Sequence, residues 1–392
     1  MRFVLLVASL AVALALGEAV ARGVVDDVYL ERQIRSGGIF VPYEPGAEAD
    51  LLTSEFRVAY RINRFGHRDR RDRRRERTPG VPRIALLGDS FAAGWGVAFE
   101  DTFGARLEAE TGIEVVNAAK NGGCPLWFVP QGRYLRERFA PDWLLVQLFD
   151  NDADDNTQFA DRFELAVGDR VGELPRAIQP LEGWDRGLRH AFDDLVLQRR
   201  FEQLQRRIKG KRLRRTSYVK PGAKPDFEVL TREQSIARHG VDLSPERPWQ
   251  GPFSFHDSAE RAAWRARLAW NAQLLDQLLE ESAADGVPVA VLYVPAYPVF
   301  LRPPAPNPLA ESARAVSARR GAPWLDAREI LAAIPEPWTL YHAHDGHLNA
   351  AGHAAIARAL VRELAPAVRH AARRASRGAG RRAPSLETQV LR

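Results

Sequence analysis

Three residues in this chain have the types and spacing for nucleophilic catalysis. Ser90 follows Gly88 and Asp89 directly after the apolar run Ile84, Ala85, Leu86, Leu87, while Asp345 and His347 stand one residue apart far downstream. A free serine hydroxyl is a weak nucleophile at neutral pH. It becomes a strong one when an imidazole takes its proton and a carboxylate holds that imidazole through Nδ1–H, leaving Nε2 as acceptor. Asp345 is close enough along the chain to hold His347 in this way. Taken alone the Gly-Asp-Ser tripeptide is a weak signal, because Asp and Ser after a strand are ordinary turn formers.

Elements that would position these groups can be read from the flanking sequence. The run at 84–87 suits a strand buried on both faces, and 88–90 break it abruptly. Residues 101–112 follow as a helix, with an acidic start, Phe103 and Leu107 at helical spacing and a glycine stop. A serine between a parallel strand and a helix N-terminus lies at the carboxyl edge of a sheet, where backbone N–H groups can stabilise an anion. Further strands are predicted at 114–119, 143–149, 287–294 and 323–327, with helices at 130–139, from 258 to a stop at Gly286, at 311–321 and at 349–368. This alternation implies parallel βαβ units whose carboxyl ends share one edge. That edge would carry Ser90, then Asn121, Gly122 and Gly123, then Asn151.

Residues 1–22 read as a signal peptide or an N-terminal membrane anchor: Arg2, an apolar run at 3–16, then the small residues Ala19, Val20 and Ala21. An extracytoplasmic location, periplasmic or secreted, is expected, with anchoring in the inner membrane as the alternative. Residues 23–80 read as an N-terminal extension and charged linker, strand-like at 56–62 and solvated at 68–77, RDRRDRRRER. The main domain is expected at 81–368, with a polar insertion at 157–257 and a basic tail without regular structure at 369–392. Within the insertion, Leu197, Phe201, Leu204 and Ile208 recur at helical spacing on a basic background. That suits a membrane surface, a cover for the site, or a solvated helix packed on the domain.

Composition narrows the partners. A formal charge of +6 over 392 residues, concentrated in basic blocks, favours contact with lipid head groups or acidic glycans, and an export signal removes nucleic acid. The single cysteine, Cys124, excludes an intrachain disulfide and any multi-cysteine zinc site, and reads as a small packed residue. His342, His344 and His353 crowd one loop without an HExxH pattern, and Asp152, Asp154 and Asp155 lack the Gly and Glu of a calcium loop, so they read as solvated loop acids. No metal and no cofactor are expected.

Four blocks occur in order: GDSF with Ser90, VVNAAKNGG with Gly122, FDNDADDN with Asn151, and DGHLNAAG with Asp345 and His347. In this the chain resembles the SGNH, or GDSL, hydrolases. The resemblance implies a three-layer α/β/α sandwich with a mainly parallel, flavodoxin-like sheet plus a helical and loop insertion. It also implies Ser90 as nucleophile, His347 as general base and Asp345 as orienting carboxylate. The oxyanion hole would be the backbone N–H groups of Ser90 and Gly122 and the side-chain amide of Asn151. The family usually places Asp three residues before His, where this chain has His344; the shorter spacing occurs in relatives associated with acetylation of exported polysaccharides. Asp326 is the alternative orienter, against its reading as a helix cap. The implied activity is hydrolysis of an acyl or acetyl ester, with an ester or glycan substrate. O-acyl transfer to an envelope glycan and a non-catalytic glycan-binding module are the alternatives.

Overall fold

The computed structural model describes Ser9, 12–17, 19–20, 42–43, 45–52, 55–74, 76–172, 229–239, 241, 258–302 and 306–380. Strands β1 (Glu48–Leu52) and β2 (Arg57–Arg61) pair antiparallel in a separate two-stranded sheet. The main sheet consists of β3 (Arg83–Leu87), β4 (Glu114–Asn117), β5 (Trp143–Phe149), β6 (Val289–Val294) and β7 (Trp324–Asp326), all parallel and in the order β4-β3-β5-β6-β7. Counted within that sheet the order is the flavodoxin-like 2-1-3-4-5, whose direction of winding reverses beside β3.

The helices are α1 (Ser90–Ala93), α2 (Phe103–Thr111), α3 (Pro125–Phe139), α4 (Asp152–Phe159), α5 (Arg232–His239), α6 (Ser258–Ala284), α7 (Pro308–Arg320), α8 (Ala327–Ala332), α9 (Ala350–Glu363) and α10 (Ala365–Gly380). Because side chains alternate across a strand, an apolar run must be covered twice. Ala85, Leu87, Val146 and Val291 pack into the layer built by α3, α6 and α7. Ile84, Leu86, Leu145 and Leu292 pack into the layer of α2, α8 and α9. Each of these buried Val, Leu and Ile side chains stabilises the fold by roughly 1.5–3 kcal/mol, so the sheet between the two layers is a rigid platform for its edge.

Several boundaries differ from the sequence reading. Helix α3 starts at Pro125 rather than 130: a proline at the first helical position gives up no hydrogen bond, and Pro130 is carried inside the helix. The closing helix is two helices, α9 and α10, and α10 continues to Gly380 in the stretch expected to lack structure. Its start is held by Val368 in the core and by Arg369, which donates to the Thr111 carbonyl.

The expectation of a solvated linker at 68–77 is also corrected. Arg68, Asp69 and Arg73 are buried. Arg73 pairs with Asp69 and Glu108, and Arg68 donates to the carbonyls of Ala93, Gly94 and Val97 with its guanidinium over the Tyr60 ring. A charge run reads as solvated only when nothing else in the fold offers it partners; here backbone carbonyls and acids far along the chain do so.

Most of the insertion, including the basic stretch 196–215, lies outside the described residues. Its first part is described, and there Phe163 and Val171 join the core. The segment 1–22 is described only in part; among the described residues no helix is long and apolar enough to cross a membrane.

Candidate active site

Ser90 opens α1, the single helical turn after β3. Asp89 caps that turn by accepting the Phe91 N–H at 2.8 Å, and its own N–H donates to Gln147 Oε1 of β5 at 3.1 Å. Ser90 is thus held between two adjacent strands. On the far side of the turn, the Tyr60 hydroxyl and the Arg68 guanidinium both donate to the Gly94 carbonyl.

His347 and Asp345 come from the loop before α9, where Asn349 caps the helix through the N–H groups of Ala351 and Gly352. The loop closes on itself, with His342 N–H donating to the His347 carbonyl at 2.8 Å and Gly346 N–H to the His342 carbonyl at 3.0 Å. This arrangement brings Ser90 Oγ to 2.7 Å from His347 Nε2 and His347 Nδ1 to 2.5 Å from Asp345 Oδ1. The carboxylate selects the Nδ1–H tautomer, which leaves Nε2 to accept from the serine hydroxyl. Trp95 Nε1 donates to the other oxygen, Asp345 Oδ2, at 3.1 Å. Burial by itself raises the Asp345 carboxyl, but the His347 charge and the hydrogen bonds from His347 and Trp95 outweigh it and hold the carboxyl down at about 2. Two residues of spacing are therefore enough for the bond to His347.

Asp326, the alternative partner, instead caps α8 through Arg328 N–H and pairs with the Arg328 guanidinium.

Gly122 and Asn151 follow the strands that flank β3 on either side, so the topology sets both on the edge that carries Ser90. Gly122 has φ +69°, a conformation that favours glycine, and its neighbour Gly123 passes so close to Gly88 that a Cβ there would stand 2.3 Å from the Gly88 carbonyl oxygen. Lys120 N–H donates to that carbonyl at 3.1 Å, and Asn121 N–H donates to the Tyr43 hydroxyl at 3.1 Å. The loop is therefore tied both to the Ser90 turn and to the N-terminal extension. Lys120 Nζ lies 3.4 Å from the Trp127 ring centre, and burial lowers its ammonium to about 7. Asn151 precedes α4, and its carbonyl accepts from Asp154 and Asp155 N–H.

The aspartates after β5 are not the solvated acids expected. Asp152 is buried and accepts the Phe149 N–H, Asp154 pairs with Arg267, and burial together with Asp89 and Asp154 pushes Asp155 up to about 7. His353 is fully buried and accepts the Phe103 N–H at Nδ1, while His344 contacts Arg238 at the surface. Among the described residues no group of three or more His, Cys, Asp or Glu is arranged to hold a metal. Cys124 is buried, as its reading as a packed residue requires.

Sequence reasoning missed Trp95, Glu55 and Tyr43. No motif marks them, and each meets its partner at long range: Trp95 and Asp345 are 250 residues apart.

No protein-family model matches the chain, and no curated protein matches it either. Among solved structures it is similar to TesA, at 14% identity over 72% of this chain and 98% of that one, with a TM-score of 0.38. It is similar to a lipase/acylhydrolase from Enterococcus faecalis at 13% identity, over 73% of this chain and 97% of that one, with a TM-score of 0.36. It is likewise similar to AlinE4, an SGNH-hydrolase family esterase, at 13% identity over 74% and 98% of the two chains, with a TM-score of 0.34.

Proposed function

We propose that the protein is an exported serine esterase that cleaves an acyl or acetyl ester through an acyl-enzyme. One observation carries this reading: Ser90 Oγ, His347 Nε2, His347 Nδ1 and Asp345 Oδ1 form an unbroken line of contacts at 2.7 and 2.5 Å. In the reaction, Oγ attacks the ester carbonyl as His347 takes its proton, giving a tetrahedral intermediate and an imidazolium paired with Asp345. Backbone N–H groups of Ser90 and Gly122 and the Asn151 amide are the donors assigned to the oxyanion, each worth about 10² to 10³ in rate. His347 then protonates the departing alcohol. Water, deprotonated by the same imidazole, releases the acid and restores Ser90.

Transfer of the acyl group to a sugar hydroxyl is the second reading, favoured by the two-residue Asp–His spacing. It differs only in the acceptor that resolves the acyl-enzyme. The apolar run at 3–16 supports an extracytoplasmic site of action, and the basic blocks support contact with an anionic envelope surface.

A fluorophosphonate probe tests the machinery without knowledge of the substrate. Wild type is expected to be labelled, and Ser90→Ala and His347→Ala are expected not to be. A folded wild type that stays unlabelled would overturn the esterase reading in favour of a glycan-binding role. Incubation with an activated acetyl ester and an oligosaccharide then separates hydrolysis, which yields free acetate, from transfer, which yields acetylated sugar.

A further inference from the structure

Glu55 lies two residues before β2, far from the catalytic blocks in sequence, yet only 3% of it is exposed. Its Oε1 accepts the N–H of His344 at 2.9 Å and its Oε2 accepts the N–H of Asp345 at 2.7 Å. A carboxylate offers two acceptor oxygens side by side, which suits two successive backbone N–H groups. A neutral amide would present one acceptor and one donor, and the donor would face an N–H. Seating a second carboxylate next to Asp345 carries an electrostatic cost, since two like charges in a partly desolvated site repel. An acid placed there only to fill space would be replaceable by a neutral residue at a gain.

We propose that Glu55 is a positioning residue for Asp345: by fixing the backbone of the Asp345 loop from the N-terminal hairpin, it sets the carboxylate where His347 Nδ1 and Trp95 Nε1 both reach it. The inference rests on the reading of Ser90, His347 and Asp345 given above. The loop turns tightly between His342 and His347, and the His344 and Asp345 amides take a partner outside it. Glu55 is that partner. A shift of about 1 Å at Asp345 would break the 2.5 Å contact with His347, and displacements of that size can cost on the order of 100-fold in rate.

The test compares wild type, Glu55→Gln, Glu55→Asp and Val58→Ala. Val58 lies in β2, three residues after Glu55, and packs with Leu51, Phe56 and Tyr60, so its truncation loosens the hairpin without touching the loop. Two quantities are read: the fluorophosphonate labelling rate of Ser90, and the far-downfield proton resonance of the His347–Asp345 hydrogen bond. Glu55→Gln is expected to label about tenfold more slowly or worse and to lose or broaden the resonance, with partial recovery in Glu55→Asp. Labelling and resonance unchanged in Glu55→Gln would overturn the proposal. So would an equal loss in a Val58→Ala variant of equal melting temperature, which would reduce Glu55 to a general structural role. Should Glu55→Gln not fold, Glu55→Asp carries the same comparison. If wild type is not labelled at all, the esterase reading fails, and the resonance alone then decides for or against Glu55.

Discussion

The indole N–H of Trp95 donates to Oδ2 of Asp345 across 3.1 Å, on the oxygen that His347 leaves free. Trp95 is therefore one of the groups that keep Asp345 ionised and aimed. A hydrogen bond to a charged group contributes about 1.5–3 kcal/mol. Trp95→Phe keeps an aromatic ring but removes the donor, and it is expected to lower turnover of an activated acetyl ester about tenfold while raising the Asp345 carboxyl. Full turnover in Trp95→Phe would show that the indole hydrogen bond is not needed to orient the carboxylate.

Asp345 and Asp326 separate orientation from capping. Asp345→Asn leaves the imidazole without its anionic partner and favours the wrong tautomer, so kcat is expected to fall by roughly 10³ to 10⁴. Asp326→Asn is expected to leave kcat unchanged and to lower stability by about 1 kcal/mol or less, because it loses the Arg328 pair but retains a capping oxygen. Steady-state kinetics and thermal melts of the two variants decide the matter.

Asp89 makes stability depend on pH in a defined direction. Burial pushes its carboxyl up to about 6, against the Phe91 N–H and the His347 charge. Between the unfolded value of 3.8 and about 6 the folded state binds the extra proton, so the Asp89 contribution to stability declines as pH rises through that window and is flat above it. Asp89→Asn keeps a cap and has no charge to bury. Relative to wild type it is expected to gain roughly 2 kcal/mol between pH 4 and pH 7, measured by denaturant melts at both values. A constant difference would show that the Asp89 carboxyl titrates in the fold as it does in the unfolded chain.

Gly123 is a contact that no side chain can occupy. A Cβ there would stand 2.3 Å from the Gly88 carbonyl oxygen, and backbone cannot swing aside as the end of a flexible side chain can. Gly123→Ala is expected to destabilise the protein by about 3 kcal/mol and to slow Ser90 labelling, since the shift would open the distance between the Gly122 loop and the nucleophile. A melt like that of wild type would mean that the two loops are not packed this closely.

Much of this protein is legible along the chain. The strands at 83–87, 114–117, 143–149 and 289–294 announce themselves because apolar runs, turn residues and glycine stops act over a few residues. The same locality makes Asp345 and His347 readable as a pair. Helix α3 was cut short because proline reads as a boundary, although it is tolerated when neighbouring turns and the core hold the helix. The segment 68–77 misled for the opposite reason: its charges look solvated in sequence, yet the carbonyls that receive Arg68 lie 25 to 29 residues further on.

Local patterns of apolar and turn-forming side chains suffice to set the alternating strand and helix plan and the polar residues at strand ends. It takes the folded chain to bring Ser90 to His347 across 257 residues, to put Asp345 and not Asp326 on that imidazole, and to set Tyr43, Glu55 and Arg68 against the loops around it. Those choices depend on which distant backbone groups are left without partners once the two layers close on the sheet, and no short stretch of sequence contains that information.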